Sequence, residues 1–219
     1  MKHLFIPLLA LATICARTLG MAVPAGFEGT APDKNAPGWT SGATGEGKSD
    51  WRVAVDPTAP GGTQVLRQSA ELPKSSFALS LWDGAALKDG WVEVKFKTVS
   101  GKIDQAAGVV WRALDAQNYY VCRANALEDN VVLYKVQAGR RTALDIVGRA
   151  GGYGVSAKVA PSQWQTLRVE FSGARFKAIL NGTVLFEVED KTFPSAGRTG
   201  LWTKADSVTL FDEFNAGPP

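Results

Sequence analysis

Three features of the 219-residue sequence predict an all-β fold, an antiparallel two-sheet β-sandwich of jelly-roll type. About a dozen short runs rich in β-branched and aromatic residues recur with turn residues between them. Several of these runs alternate apolar and polar residues with period two, the pattern of a sheet with one buried face. No segment sustains a helical period, and no internal repeat is visible.

The chain opens with Met1-Lys2-His3, an apolar run from Leu4 to Ile14, and small residues ending at Gly20-Met21-Ala22. This is the layout of a secretory signal peptide, and the run falls short of the roughly 20 residues that span a bilayer. Residues 1–22 are therefore expected to be a signal segment cleaved after Ala22, with Ala16 as the alternative site. Cys15 follows Ile14, where a small residue would precede a lipidated cysteine. Residues 23–219 are expected to form one exported domain, periplasmic or extracellular, without a transmembrane segment.

Removing the signal leaves 22 basic against 21 acidic residues and no block of like charge, so no nucleic-acid partner is expected. It also removes His3, the only histidine, and leaves Cys122 as the sole cysteine. Serine or cysteine nucleophiles activated by histidine, histidine-bound zinc and an internal disulfide are thereby excluded. Chemistry is left to carboxylates, Lys, Arg, Tyr or a hard metal ion. The sequence is compatible with a monomer or an oligomer of unspecified order.

Residues 23–50 are rich in Pro and Gly, with Phe27 and Trp39 as apolar anchors for an N-terminal strand. Strands are then expected near Trp51–Val55, Thr63–Gln68, Phe77–Trp82, Trp91–Val99, Gly108–Ala113, Tyr119–Asn125 and Val131–Val136. Further strands are expected near Ala143–Val147, Gln163–Ser172, Arg175–Asn181, Val184–Glu189, Thr199–Thr203 and Val208–Phe214. In the fourth run Val92, Val94 and Phe96 share one face and Glu93, Lys95 and Lys97 the other. Leu167, Val169 and Phe171 likewise oppose Trp164, Thr166, Arg168 and Glu170. Asn181-Gly182 between two apolar runs is the strongest hairpin signal, since both turn positions need positive φ. Asp115 with Asn118 reads as a second turn, and Gly148 to Gly154 as a loop at the rim, not a phosphate loop.

The stretch Gly108-Val-Val-Trp-Arg-Ala-Leu-Asp115, continuing to Tyr120, is followed by Val131-Val-Leu-Tyr-Lys135, Gln163-Trp-Gln-Thr-Leu-Arg-Val169, Gly200-Leu-Trp-Thr203 and Phe211-Asp-Glu-Phe214. It resembles the concanavalin A-like lectin/glucanase superfamily, in particular bacterial laminin-G-like jelly rolls related to the 3-keto-disaccharide hydrolase family. The resemblance implies a concanavalin A-like jelly roll that binds carbohydrate or acts on glycosides. The Glu-x-Asp-x-(x)-Glu motif of the superfamily's glucanases, which sets two carboxylates on one strand face, is absent. Glu187 and Glu189 come nearest and read as an exposed hairpin face.

Alternation places Tyr119, Val121, Arg123 and Asn125 on one face of their strand and Tyr120, Cys122 and Ala124 on the other. The small apolar set suits the core, so Tyr119, Arg123 and Asn125 are expected to line a concave groove suited to sugar hydroxyls. Arg112, in preference to its neighbour Trp111, and Trp202 with Lys204 are expected to join them as substrate-binding residues; core burial of both Trp is the competing reading. For an enzyme, Glu128, Asp129 and Asp206 are the acid/base candidates, because rim carboxylates can hold raised pKa values. The resemblance also implies a structural calcium held by Glu28 and Asp212 on the paired terminal strands. Edge charges that discourage aggregation are the alternative for that pair. Three functions follow: an exported carbohydrate-binding module, a glycoside-acting enzyme of the 3-keto-disaccharide hydrolase kind, or a structural domain whose groove is filled by its own side chains.

Overall fold

The computed structural model describes residues 23–149 and 151–219; the expected signal segment, with Cys15 and both cleavage sites, and Ala150 lie outside the described residues. The described residues form sixteen strands and no helix. In chain order these are β1 (Val23–Ala25), β2 (Trp39–Thr44), β3 (Trp51–Val55), β4 (Gln64–Gln68), β5 (Phe77–Leu87), β6 (Gly90–Ser100), β7 (Ala106–Asp115) and β8 (Asn118–Asn125). There follow β9 (Asn130–Gln137), β10 (Arg140–Ala143), β11 (Val155–Ser156), β12 (Gln165–Ser172), β13 (Arg175–Leu180), β14 (Thr183–Glu189), β15 (Gly197–Lys204) and β16 (Val208–Gly217).

One sheet runs β14-β13-β12-β6-β16-β4-β3 with β1 paired to β16; the other runs β10-β9-β8-β7-β15-β5-β2 with β11 paired to β9. All neighbours are antiparallel, and the two inner faces meet in a single core, the arrangement of a β-sandwich jelly roll. The period-two reading of β6 and β12 holds. Val92, Val94, Phe96, Leu167, Val169 and Phe171 are buried, while Arg168 faces outward between Glu93 (3.7 Å) and Glu170 (3.2 Å). Burying each such apolar side chain stabilises the fold by about 1.5–3 kcal/mol. Tyr120, Cys122 and Ala124 enter this core from β8, and Trp111 stacks there on Tyr120 with ring centroids 5.4 Å apart.

Asn181 (φ 50°) and Gly182 (φ 78°) form the expected hairpin turn between β13 and β14. Ala138 (φ 48°) and Gly139 (φ 78°) make a similar turn between β9 and β10 that Ala138 does not advertise in sequence. Two other elements differ from expectation. The strand expected at Ala143–Val147 ends at Ala143 because the chain there leaves one sheet for the other: Leu144 N–H bonds Leu133 O, whereas Val147 N–H bonds Glu187 O. Strand β2 has no alternation in Ser41-Gly42-Ala43 and owes its place to backbone pairing with β5. Trp39 anchors it, 4.8 Å from the Phe214 ring and 5.7 Å from that of Phe27.

Arg112 does not face the concave side. The β7–β8 register shifts between Trp111 and Asp115, and Arg112 takes a positive φ of 48°, so strict alternation fails and both Trp111 and Arg112 pack inward. The Arg112 guanidinium is buried beside Phe176 (5.4 Å) and Phe171 (5.8 Å). It donates to Lys88 O (2.7 Å), Gly173 O (2.7 Å) and Phe193 O (3.1 Å) and pairs with Asp89 (3.3 Å), tying three connections together. Arg112→Met would orphan those carbonyls. Denaturant unfolding should show a loss of about 3 kcal/mol or more; a change below about 0.5 kcal/mol, the scale of ordinary surface substitutions, would contradict this role.

Candidate functional site

The β10–β2 sheet curls strongly over its concave face. Thr44 at the end of β2 meets the β7–β8 turn, donating through Oγ1 to Ala116 O (2.6 Å), while Gln117 Nε2 donates to Ala43 O (3.3 Å). Since Thr44 spends its one hydroxyl proton on Ala116, Tyr119 donates to Thr44 Oγ1 (2.8 Å) and accepts from Trp202 Nε1 (3.2 Å). Burial pushes the Tyr119 phenol above its ordinary pKa and keeps this relay neutral. Phe77, Leu79, Leu81, Val110, Val121 and Val132 fill the space around it. Tyr119 and Trp202 therefore lie on the expected face, yet they are fully buried and satisfied internally instead of lining an open trough. Gly108 makes room for this packing, since a Cβ there would stand 3.2 Å from that of Trp202.

Polar side chains gather at the end of the concave face, where β8 turns into β9. Arg123 is fully buried and holds Glu128 with two bonds, Nη2 to Oε2 (3.0 Å) and Nη1 to Oε1 (3.4 Å). Its Nη2 also donates to Asn130 Oδ1 (2.5 Å), and Asn130 Nδ2 donates to Glu128 Oε2 (3.0 Å). Asn125 is buried as well: its Nδ2 donates to Asp104 Oδ1 (2.7 Å) and its Oδ1 accepts from Leu127 N (2.9 Å). Lys204 forms an ion pair with the same Asp104. Of the groove residues expected from sequence, Arg123, Asn125 and Lys204 thus share this rim, with the first two acting from beneath it.

The aromatic part of the rim is Tyr134 from β9 and Tyr153 from the glycine-rich loop. Each ring lies 5.7 Å from the Arg123 guanidinium, and the Tyr134 hydroxyl donates to that of Tyr153 (2.5 Å). Gly154 (φ 58°) allows the loop to lie against β9, where a Cβ would overlap the Val131 carbonyl; Tyr153 is left half-exposed. Arg141, from β10, lies over the Tyr134 ring (4.4 Å), the Phe77 ring (4.9 Å) and the Trp202 ring (5.8 Å).

The three carboxylates expected as acid/base candidates are held low, not raised. For Glu128, burial acts upward but is outweighed by hydrogen bonds from Arg123 and Asn130 and by the charges of Arg123 and Lys204. Asp129 is lowered by Lys158 Nζ (2.8 Å) and Val159 N–H (3.0 Å), so it clamps the 158–159 segment. Asp206 is lowered, against the effect of burial, by the N–H groups of Lys102 (2.7 Å), Ile103 (3.1 Å) and Asp104 (3.0 Å), which it caps. Glu128 alone of the three belongs to the rim.

Glu28 and Asp212 line one cleft of about 390 Å³, with Gly61 and Glu213 between them. Glu28 Oε1 accepts from Thr63 N (2.9 Å) and Gln64 N (2.6 Å); Asp212 accepts from Gly61 N (2.8 Å) and Glu213 N (2.7 Å). Lys95 pairs with Glu213 at 3.0 Å. Burial, with Glu213 and Glu28 nearby, raises Asp212 above the usual carboxylate value. These oxygens meet N–H donors, and among the described residues no group of three or more His, Cys, Asp or Glu is arranged to hold a metal ion.

Asp104, Asn130, Tyr134, Arg141 and Tyr153 were not singled out from sequence. Alternation along β9 carried a signal for Tyr134, which is paired with Val121 on the Arg123 face of β8. The placements of Arg141 and Tyr153 depend on sheet curvature and loop path.

Fold and site together define a concanavalin A-like jelly roll. Residues 26–213 match the model of the 3-keto-alpha-glucoside-1,2-lyase-like domain, and the chain belongs to that family. No curated protein sequence matches it significantly. Among solved structures it is similar to the carbohydrate-binding module CBM66 from Bacillus subtilis, with 22% identity, 81% of this chain and 93% of that chain covered, and TM-score 0.61. It is also similar to the cellulose induced protein Cip1 (13% identity, 89% and 96% covered, TM-score 0.61). A third is a LamA variant from Z. galactanivorans in complex with laminaritriose and laminaritetraose (11% identity, 89% and 97% covered, TM-score 0.51).

Two outcomes test this assignment of carboxylates. A chelator-induced drop in the thermal unfolding midpoint, restored by added calcium, would support a calcium held by Glu28 and Asp212 with backbone carbonyls, and an unchanged midpoint would rule it out. For Asp206, a depressed folded-state pKa gives stability that is present above the unfolded value near 3.9 and lost as pH falls through the folded one. Asp206→Asn should therefore be less stable than the parent at pH 7, with the gap closing as pH falls below the unfolded value and through the depressed folded one. A gap unchanged by pH would refute the cap.

Proposed function

We propose that the chain is an exported glycan-binding β-sandwich whose sugar site is the rim formed by Arg123, Glu128, Asn130, Tyr153 and Lys204. The observation that carries this reading is the Arg123–Glu128–Asn130 cluster beside the half-exposed Tyr153 ring. Buried Arg123 fixes the carboxylate and amide without blocking them from water, so sugar hydroxyls would meet oriented acceptors and donors at little ordering cost. The phenol ring offers a face to the apolar side of a pyranose. Family membership and the carbohydrate-binding module among the structural neighbours support the reading. Affinity for one sugar site is expected in the micromolar to millimolar range, about 4 to 8 kcal/mol.

The family description favours a second reading, an enzyme that opens 3-keto-α-glucosides by elimination across C1 and C2. The ketone acidifies the C2 proton; a base removes it as the C1–O bond breaks, and the departing oxygen is protonated by solvent. Glu128, ionised at neutral pH, is the rim group suited to take that proton.

Calorimetric titration with the glycans selected by an array tests the site. Tyr153→Ala should weaken binding by about tenfold or more, in keeping with loss of an aromatic contact. Tyr119→Phe should lower stability by about 1–3 kcal/mol and leave affinity intact. Unchanged affinity in Tyr153→Ala would move the site elsewhere. Release of an unsaturated keto sugar from a 3-keto-α-glucoside, abolished by Glu128→Gln, would establish the second reading.

A further inference from the structure

The charges around the rim do not balance. Arg123 is answered by Glu128 and Lys204 by Asp104, each across an ion pair. Arg141 has no such answer among the described residues: its Nη1 is buried without a hydrogen-bond partner, and its guanidinium is surrounded by the rings of Tyr134, Phe77 and Trp202. The Nε of Arg123, against the same Tyr134 ring, is also buried without a partner. Tyr134 is thus flanked by two guanidinium groups, and its hydroxyl leads through Tyr153 to the open side of the rim.

Aromatic rings steady a cation but do not accept its directed N–H bonds. A side chain needed only to cover Trp202 and Phe77 would serve as well without charge. The half-buried Arg141 is instead packed on rings with the rest of its guanidinium in reach of solvent, where a planar, bidentate partner can bind. That partner is a carboxylate. Resting on the glycan-binding reading above, we infer that the sugar taken on this face is acidic, a uronic acid whose carboxylate is received by Arg141.

The test compares three probes of one shape: an oligogalacturonate, its fully methyl-esterified form, and a neutral galacto-oligosaccharide; a sulfated galacto-oligosaccharide serves as the other anion. The acid should bind at least about tenfold tighter than the ester, with a preference that fades as salt rises. Arg141→Gln and Arg141→Met, each shown to be folded by circular dichroism, should abolish the preference by lowering affinity for the acid to that for the ester. Arg141→Lys should keep part of it, since the charge remains and the fork is lost. Equal binding of acid and ester would overturn the inference and leave the glycan reading standing. So would equal loss of both probes in Arg141→Gln, or tight binding of the sulfated probe with none of the carboxylated one. Failure of every saccharide, neutral ones included, would overturn the glycan reading as well.

Discussion

The curl of the β10–β2 sheet is the constraint on which the rest of the molecule depends. A sheet in a sandwich normally leaves one face for water or ligand, but here Thr44 is brought against the β7–β8 turn and the concave face becomes a second apolar core. Polar atoms caught inside such a space must find partners within it. The Trp202–Tyr119–Thr44–Ala116 relay meets that demand with one donor per acceptor and no leftover proton. Once the trough is filled, the polar side chains of this face that reach water gather at its end, where β8 turns into β9.

Three buried or half-buried arginines show how partner choice separates structure from function. Arg112 is answered by three backbone carbonyls and Asp89, which fixes connections that have no open face. Arg123 is answered by the carboxylate of Glu128, which is 40% exposed and so remains available on its outer side. Arg141 is answered only by ring faces. The sequence shows Arg112 and Arg123 in β-type runs and Arg141 between two of them; the environment of each guanidinium gives them different roles.

Much of the fold was legible because period-two burial is a local property. Val92, Val94 and Phe96 announce their face regardless of what packs on them, and Asn181-Gly182 announces its turn. The alternation of β8 was equally visible, so Tyr119 and Arg123 were assigned to the correct face. Sequence could not show that this face is covered, because the cover is built from Thr44 and Ala116, 72 positions apart. Arg112 failed for a different reason: a bulge breaks the period at Trp111, and neither residue is one that advertises a positive φ. Tyr153 and Arg141 reach the rim through a loop and a curled edge strand, whose paths no local pattern encodes.

A cleft of about 560 Å³ lies elsewhere, on the outer face of the β14–β3 sheet, lined by Trp91, Arg168, Glu170, Arg175, Lys177 and Glu187. Size alone would make it the binding site, but its charges argue otherwise. Arg168 stacks on Trp91 at 4.3 Å and pairs with Glu170, Arg175 pairs with Glu189, and Lys177 lies within 3.9 Å of both Glu170 and Glu187. These are neighbours along and across a solvated sheet, where each pair contributes at most about 1 kcal/mol and each charge already has its counter-ion. The rim of the other sheet differs in kind. Its carboxylate is fixed from beneath by a buried guanidinium, its aromatic ring is half-open, and one of its cations lacks a partner. A ligand gains most where the protein has oriented polar groups and left one unanswered, which is the physical ground for proposing the filled sheet's edge over the cleft on the other sheet.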